Sequence, residues 1–193
     1  MKKSSQSSRT PKAPHHLRTW LRGGATALAA AVSLILLPFA ASSAQAAPSA
    51  IPSGMTWTVL AKGDGTVRVG ADASTDAYNG DTAATATLPL LCLRVNGSAV
   101  PAGITPDFYA GWSRGTVAAT PPVLGKTLTS RAVADALCAQ YYGSGWRMAE
   151  FHDGRYGSNL ELSGGWSFWA YGYVPDGARF WTAIDDQPAN PWN

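Results

Sequence analysis

The chain has 193 residues, with 15 Lys and Arg, 12 Asp and Glu, and three His. Six of the basic residues (Lys2, Lys3, Arg9, Lys12, Arg18 and Arg22) and none of the acidic ones fall in the first 46 positions, so nine basic residues face twelve acidic ones beyond them, a net charge of −3. The basic excess belongs to the N-terminal segment, and the rest carries nothing that recommends a nucleic acid or an anionic membrane as partner.

After Arg22 the sequence has no charged residue from Gly23 to Ala61 and contains the apolar run ATALAAAVSLILLPFAA followed by SSAQAA. A basic start, an apolar run and a small-x-small triplet at Ala44, Gln45 and Ala46 predict a signal peptide over 1–46, with an exported product that begins at Ala47. No Arg-Arg pair is present, which points to the general secretion route. Beyond residue 46 nothing is long and apolar enough to span a bilayer, so the predicted product is secreted and needs no membrane. Residues 47–54, APSAIPSG, read as a short linker, and 55–193 is of a length for one α+β domain.

That domain opens with MTWTVLAKGDGTVRVG, in which Trp57, Val59 and Ala61 alternate on one arm and Val67 and Val69 on the other, with Gly63-Asp64-Gly65 as turn; the pattern predicts a β-hairpin. The polar stretch ADASTDAYNGDTA follows. Asp72, Ser74 and Asp76 match the first ligand positions of a calcium loop, but Ala77 stands where its Gly is required and Ala83 where its bidentate Glu should be, so a solvated turn is expected. Leu91, Leu93 and Val95 form a strand that ends at Asn96-Gly97, and GTVAAT reads as another strand. In LTSRAVADALCAQYYG, Thr129 or Ser130 can cap a helix, Val133, Ala134, Leu137, Cys138 and Tyr141 form its apolar stripe, and Gly143 ends it. Beyond residue 145 come short aromatic strands, with Trp166, Phe168 and Ala170 alternating with Ser167, Trp169 and Tyr171, and Phe180, Thr182 and Ile184 alternating with Arg179, Trp181 and Ala183. Cys92 and Cys138, 46 positions apart in an exported chain, are expected to form a disulfide.

The helix bearing Ser130, Ala134 and Cys138, the segment Gly145-Trp146-Arg147-Met148, and the pair WSFWAYG and RFWTAID resemble the C-type lectin-like fold, with a more distant similarity to formylglycine-generating-enzyme-like domains. The resemblance covers about residues 115–193 and implies one main helix with short twisted antiparallel strands, here preceded by the β-hairpin region. It does not carry the family's calcium site. The calcium-binding tripeptides of these lectins are echoed by Gln187-Pro188-Ala189-Asn190 and Trp192-Asn193, but these are nearly contiguous, with no strand between them and no terminal Asp. Cys92 also lies upstream of the helix, whereas the typical second cysteine of the fold lies late in the domain.

Chemistry converges on GWRMAEFHDG, where Glu150, His152 and Asp153 stand within four positions. His152 is the only histidine beyond residue 46, too few for a catalytic zinc once the cysteines are bridged, so neither a metal nor another cofactor is expected. The bland reading is a polar turn leaving a strand into solvent, with Phe151 folded back and Glu150 or Asp153 pairing with Arg147 or Arg155. A hydrolase using His152 with Glu150 or Asp153 is the alternative, although no G-x-S-x-G elbow is present; a two-carboxylate glycosidase site of Glu150 with Glu161 or an Asp stays open. The preferred expectation is a binding module for a glycan or protein surface. Its ligand-binding residues would be Trp169, Tyr171, Trp181, Asp185, Asp186 and Asn190, with Trp169 or Trp181 as the exposed stacking ring and Trp166, Phe168 and Phe180 in the core.

Overall fold

The computed structural model describes residues 52–155 and 165–192. The expected signal peptide, its cleavage point, most of the linker, Glu161 and Asn193 lie outside them. In chain order the strands are β1 (Ser53–Gly54), β2 (Thr56–Gly63), β3 (Thr66–Gly70), β4 (Thr82–Ala83), β5 (Thr87–Leu88), β6 (Leu91–Val95), β7 (Gly111–Ala119) and β8 (Val123–Leu124). A 3-10 turn over Gly125–Thr127 leads to helix α1 (Arg131–Tyr142), followed by β9 (Arg147–Met148), β10 (Ser167–Gly172) and β11 (Arg179–Trp181). The fold is α+β. Seven strands form one sheet in the order β11-β2-β3-β10-β7-β6-β9, antiparallel throughout except for the parallel β10–β7 pair, and β1–β4 and β5–β8 make two small ribbons.

The period-2 pattern sorts the side chains onto the two faces of this sheet. One face carries Trp57, Val67, Val69, Leu91, Leu93, Val117, Phe168 and Phe180, all fully or almost fully buried in the larger core. Phe180 lies opposite Trp57, and Phe168 opposite Val69, so the aromatic strands meet the hairpin directly. The other face presents Cys92, Met148 and Trp181 to a second core that α1 closes with Ala134 and Cys138. Ser130 caps α1 by accepting from the Val133 N–H, and Gly143 ends it at φ 98°, a conformation that glycine tolerates best.

Several expectations change here. Trp181 was expected on an exposed face. It is 0 % exposed, because α1, β8 and Trp192 cover that side of β11; its Nε1 donates to the Val123 carbonyl at 3.1 Å and its ring meets Trp192 edge-on at 5.4 Å. Asn190 is also structural, as its Oδ1 accepts from the Met55 N–H at 3.0 Å and its Nδ2 donates to the Ile184 carbonyl. Trp166 was expected in the core as part of a strand, yet β10 begins one residue later and Trp166 is 38 % exposed. On α1, Val133 and Tyr141 of the expected apolar stripe are exposed, and only Ala134 and Cys138 are fully buried.

The disulfide between Cys92 and Cys138 is formed, with a Cα separation of 5.7 Å, and ties α1 to β6. Among the described residues no helix is long and apolar enough to cross a membrane.

Candidate functional site

Ala149 to Gly154 was expected to turn out into solvent. It runs inward instead. Ala149, Glu150, Phe151, Asp153 and Gly154 are buried, and only His152 is partly accessible. The backbone explains this. Ala149 N–H donates to the Leu91 carbonyl at 2.8 Å, Ala183 N–H to the Ala149 carbonyl at 3.0 Å, and Phe151 N–H to the Ala183 carbonyl at 2.8 Å. The segment is stitched between β6 and the chain after β11, so its side chains must find partners inside.

Each acidic side chain has found a different partner. Asp153 receives Arg147, whose Nη1 lies 2.9 Å from Oδ2 and whose Nη2 reaches Oδ1, and it also accepts the Glu150 N–H at 2.6 Å. The Arg147 pairing anticipated from the sequence is thus present. Burial alone would lower the Arg147 pKa, but the bonds and charge of Asp153 raise it, so the guanidinium stays charged. Glu150 accepts the His152 N–H at 2.6 Å and the Asp185 N–H at 3.1 Å, and its Oε1 lies 2.8 Å from His152 Nδ1. The other imidazole nitrogen lies 3.6 Å from Asp186 Oδ2, so the ring spans a buried and an exposed carboxylate.

Burial pushes the Glu150 carboxyl above its ordinary value, against the opposing pull of the His152 and Asp185 N–H groups and of the imidazole. A carboxyl raised in the folded state contributes stability below its unfolded pKa, and that contribution is lost as pH rises through the folded one. Glu150→Gln removes the titration. The stability of the natural protein relative to the variant is therefore expected to fall as pH rises from roughly 4 toward neutral. Urea midpoints of both proteins across that range measure it, and a difference that stays constant with pH sinks this assignment.

Two cavities flank Glu150. One, of about 350 Å³, is lined by Arg131, Asp135, Arg147, Glu150, Asp153 and Asp185. Its two arginines are both engaged by its acidic side chains: Arg131 bonds Asp185 at 2.6 Å and Asp135 at 3.3 Å, and Arg147 holds Asp153. The other, of about 140 Å³, lies on the His152 side, where Tyr78, Phe151, Trp166, Asp186 and Gln187 complete the wall. Sequence reasoning missed Tyr78 and Trp166 here. Tyr78 rides on the polar loop expected to be a solvated turn, which it is, with Asp72, Ser74, Tyr78 and Asn79 exposed, and the loop is also held by hydrogen bonds. Arg179 grips Asp72 at 2.9 and 3.0 Å, Asp76 accepts the Tyr78 and Asn79 N–H groups at 2.8 and 2.9 Å, and Asp81 accepts the Thr56 N–H at 3.0 Å. The backbone bonds from Asn79 and Tyr78 hold the Asp76 carboxyl below its ordinary range.

Trp166 is held by its backbone. Its φ is 62°, a left-handed conformation uncommon for a bulky side chain, and its carbonyl accepts the Ala71 N–H at 2.7 Å. Next to it Gly165 leaves room for Phe151: a Cβ there would sit 2.1 Å from the phenyl Cε1. The Phe151 ring consequently packs against Trp166 at 5.1 Å and 70°, and against His152 at 5.0 Å and 70°.

The remaining sequence-derived candidates lie elsewhere. Trp169 is half-buried and lines a separate groove of about 490 Å³ between the β2–β3 turn and residues 101–105, and Tyr171 packs edge-on against Trp112 at 5.1 Å. Asp185 belongs to the ion network with Arg131. The structure therefore joins Asp186 to Glu150 and His152, and separates Trp169 and Tyr171 from them. Comparison with protein-family models, curated proteins and solved structures gives no match. Among the described residues no group of three or more His, Cys, Asp or Glu is placed to hold a metal ion.

Proposed function

We propose that this chain is an exported binding module of C-type lectin-like architecture, and that it recognises a glycan in the cavity between Tyr78, Trp166 and His152. The architecture and the compartment rest on the sequence resemblance, the signal-like N-terminus, the mixed fold with one main helix, and the disulfide. The observation that carries the function is Trp166, a bulky residue kept in a left-handed conformation and left 38 % exposed beside a fixed imidazole and a carboxylate. An aromatic face flanked by hydrogen-bonding groups suits a sugar ring, whose C–H face stacks while its hydroxyls bond at the edges.

The hydrolase alternative gains less support. Among the described residues His152 pairs with the carboxylates of Glu150 and Asp186 rather than with a Ser or Thr hydroxyl, so no nucleophile is activated.

Trp166→Gly tests the reading, because its two effects on stability oppose each other. Glycine relieves left-handed strain of about 1 kcal/mol but gives up the buried part of the ring, so the melting temperature should fall and binding is compared well below the variant's own melting point. Binding to an array of cell-envelope glycans should weaken about tenfold or more, whereas Trp169→Ala should leave it nearly unchanged. Array binding that survives Trp166→Gly and is lost in Trp169→Ala moves the site to the other groove. A hydrolytic activity abolished by His152→Ala replaces the binding reading with the enzymatic one.

A further inference from the structure

The charge of the same cavity narrows the ligand, on the premise that it is a glycan site. Asp186 belongs to its lining, whereas the adjacent Asp185 lines the other cavity. Asp185 shares Arg131 with Asp135, while Asp186 has as its neighbour the His152 imidazole at 3.6 Å. No Lys or Arg is among the described residues lining the cavity. His152 is shared between two carboxylates, with Nδ1 2.8 Å from Glu150 and Nε2 3.6 Å from Asp186. Tyr78, Phe151 and Trp166 bring three aromatic rings to the same small space, with Phe151 steeply inclined to Trp166 at 70°.

Aromatic faces carry negative quadrupole charge, and a carboxylate beside them reinforces it. A cavity of about 140 Å³ has room for a single ring-sized group or an alkylammonium head, not for a chain. We infer that the cavity selects a positively charged amino sugar, whose protonated amine lies between Asp186 and the aromatic rings, over the same sugar with its amine acetylated. The sugar ring then supplies the apolar face against Trp166, and the imidazole and Gln187 face its edge. Acetylation removes the charge and adds bulk in a cavity of only about 140 Å³, so the discrimination is both electrostatic and steric.

The experiment is calorimetric titration of the exported protein with glucosamine tetramer and, in parallel, with N-acetylglucosamine tetramer, at a pH where the free amines are protonated. The glucosamine tetramer is expected to bind about tenfold more tightly, with a preference that shrinks as salt is raised. Asp186→Asn, on an exposed side chain, should keep the melting temperature and bring the two ligands to within about twofold, and Trp166→Ala should weaken both. Equal or tighter binding of the acetylated tetramer, still dependent on Trp166, overturns the charge selection and leaves the glycan reading standing. Failure of both tetramers to bind overturns the two together. A preference for glucosamine that survives Asp186→Asn overturns the role of that carboxylate.

Discussion

Replacing Cys92 and Cys138 together by alanine is expected to lower the unfolding free energy by about 4 kcal/mol, the value for cross-linking a loop of this length on the chain-entropy model. The sequence separation is 46 residues, and both sulfurs are fully buried between α1 and the sheet. Besides this bond, α1 is held by the partly buried Leu137 and Tyr142, by Asp135 accepting the Met148 N–H and by the Tyr142 hydroxyl donating to the Ala119 carbonyl. Val133 and Tyr141 face solvent, so α1 contributes only Ala134 and Cys138 as fully buried side chains. An amphipathic helix of this length normally owes its stability to a buried stripe rather than to intrinsic propensity, and here a covalent link substitutes for part of that stripe. Urea unfolding monitored by far-ultraviolet dichroism, for the natural protein and the double variant, measures the difference. A loss below about 1 kcal/mol means that Ala134, Leu137 and Tyr142 anchor the helix without the bond, and refutes this account.

Asp153→Ala is expected to cost about 3 kcal/mol. Two deficits add. The Glu150 N–H loses its acceptor inside the protein, and Arg147 is left between Asp135 and Glu150 without the carboxylate that holds its planar end. Asp153 is 8 % exposed and Arg147 33 %, so solvent reaches the arginine side of the pair and moderates its penalty; a fully enclosed pair would cost more. Arg147→Ala leaves the more deeply buried Asp153 without its cation and should cost a comparable amount, and the double variant should fall short of the sum of the two by more than about 1 kcal/mol. Strict additivity in that double-mutant cycle would show that the pair is not coupled and would reduce Asp153 to a backbone acceptor.

The site lies one step from both of these features. Asp153 accepts the Glu150 N–H, and Glu150 in turn holds the imidazole of His152 toward Asp186. The carboxylates that were candidates for chemistry thus do different work. Asp153 anchors the turn, Glu150 orients His152, and Asp186 faces the cavity mouth. Separating these roles required distances, since three acidic or basic residues within four positions are compatible with a metal site, a catalytic pair or a polar turn.

The hairpin of β2 and β3, the strand through Leu91 and Leu93, the Ser130 cap, the glycine end of α1 and the Cys92–Cys138 link were all legible in the order of residues, because each depends on local periodicity, on turn chemistry or on the pairing of two cysteines. Which face of an aromatic strand meets solvent was not. Alternation places Phe180 and Trp181 on opposite sides of β11, but whether the second side is bare depends on what else folds over it; here Trp192, β8 and α1 do so, and Trp181 is buried. Trp166 and Tyr78 went unseen for a related reason. One is turned outward by a left-handed backbone angle, and the other is carried in by a polar loop whose bonds to Thr56 and Arg179 span the length of the domain. The sequence by itself determined the elements and the cross-link, because these are set by neighbours in the chain. Only the tertiary structure decided which rings and which of two adjacent carboxylates line the cavity beside His152, because exposure and charge pairing are set by residues far apart in the chain: Arg131 bonds Asp185, and among the described residues lining that cavity no lysine or arginine stands beside Asp186.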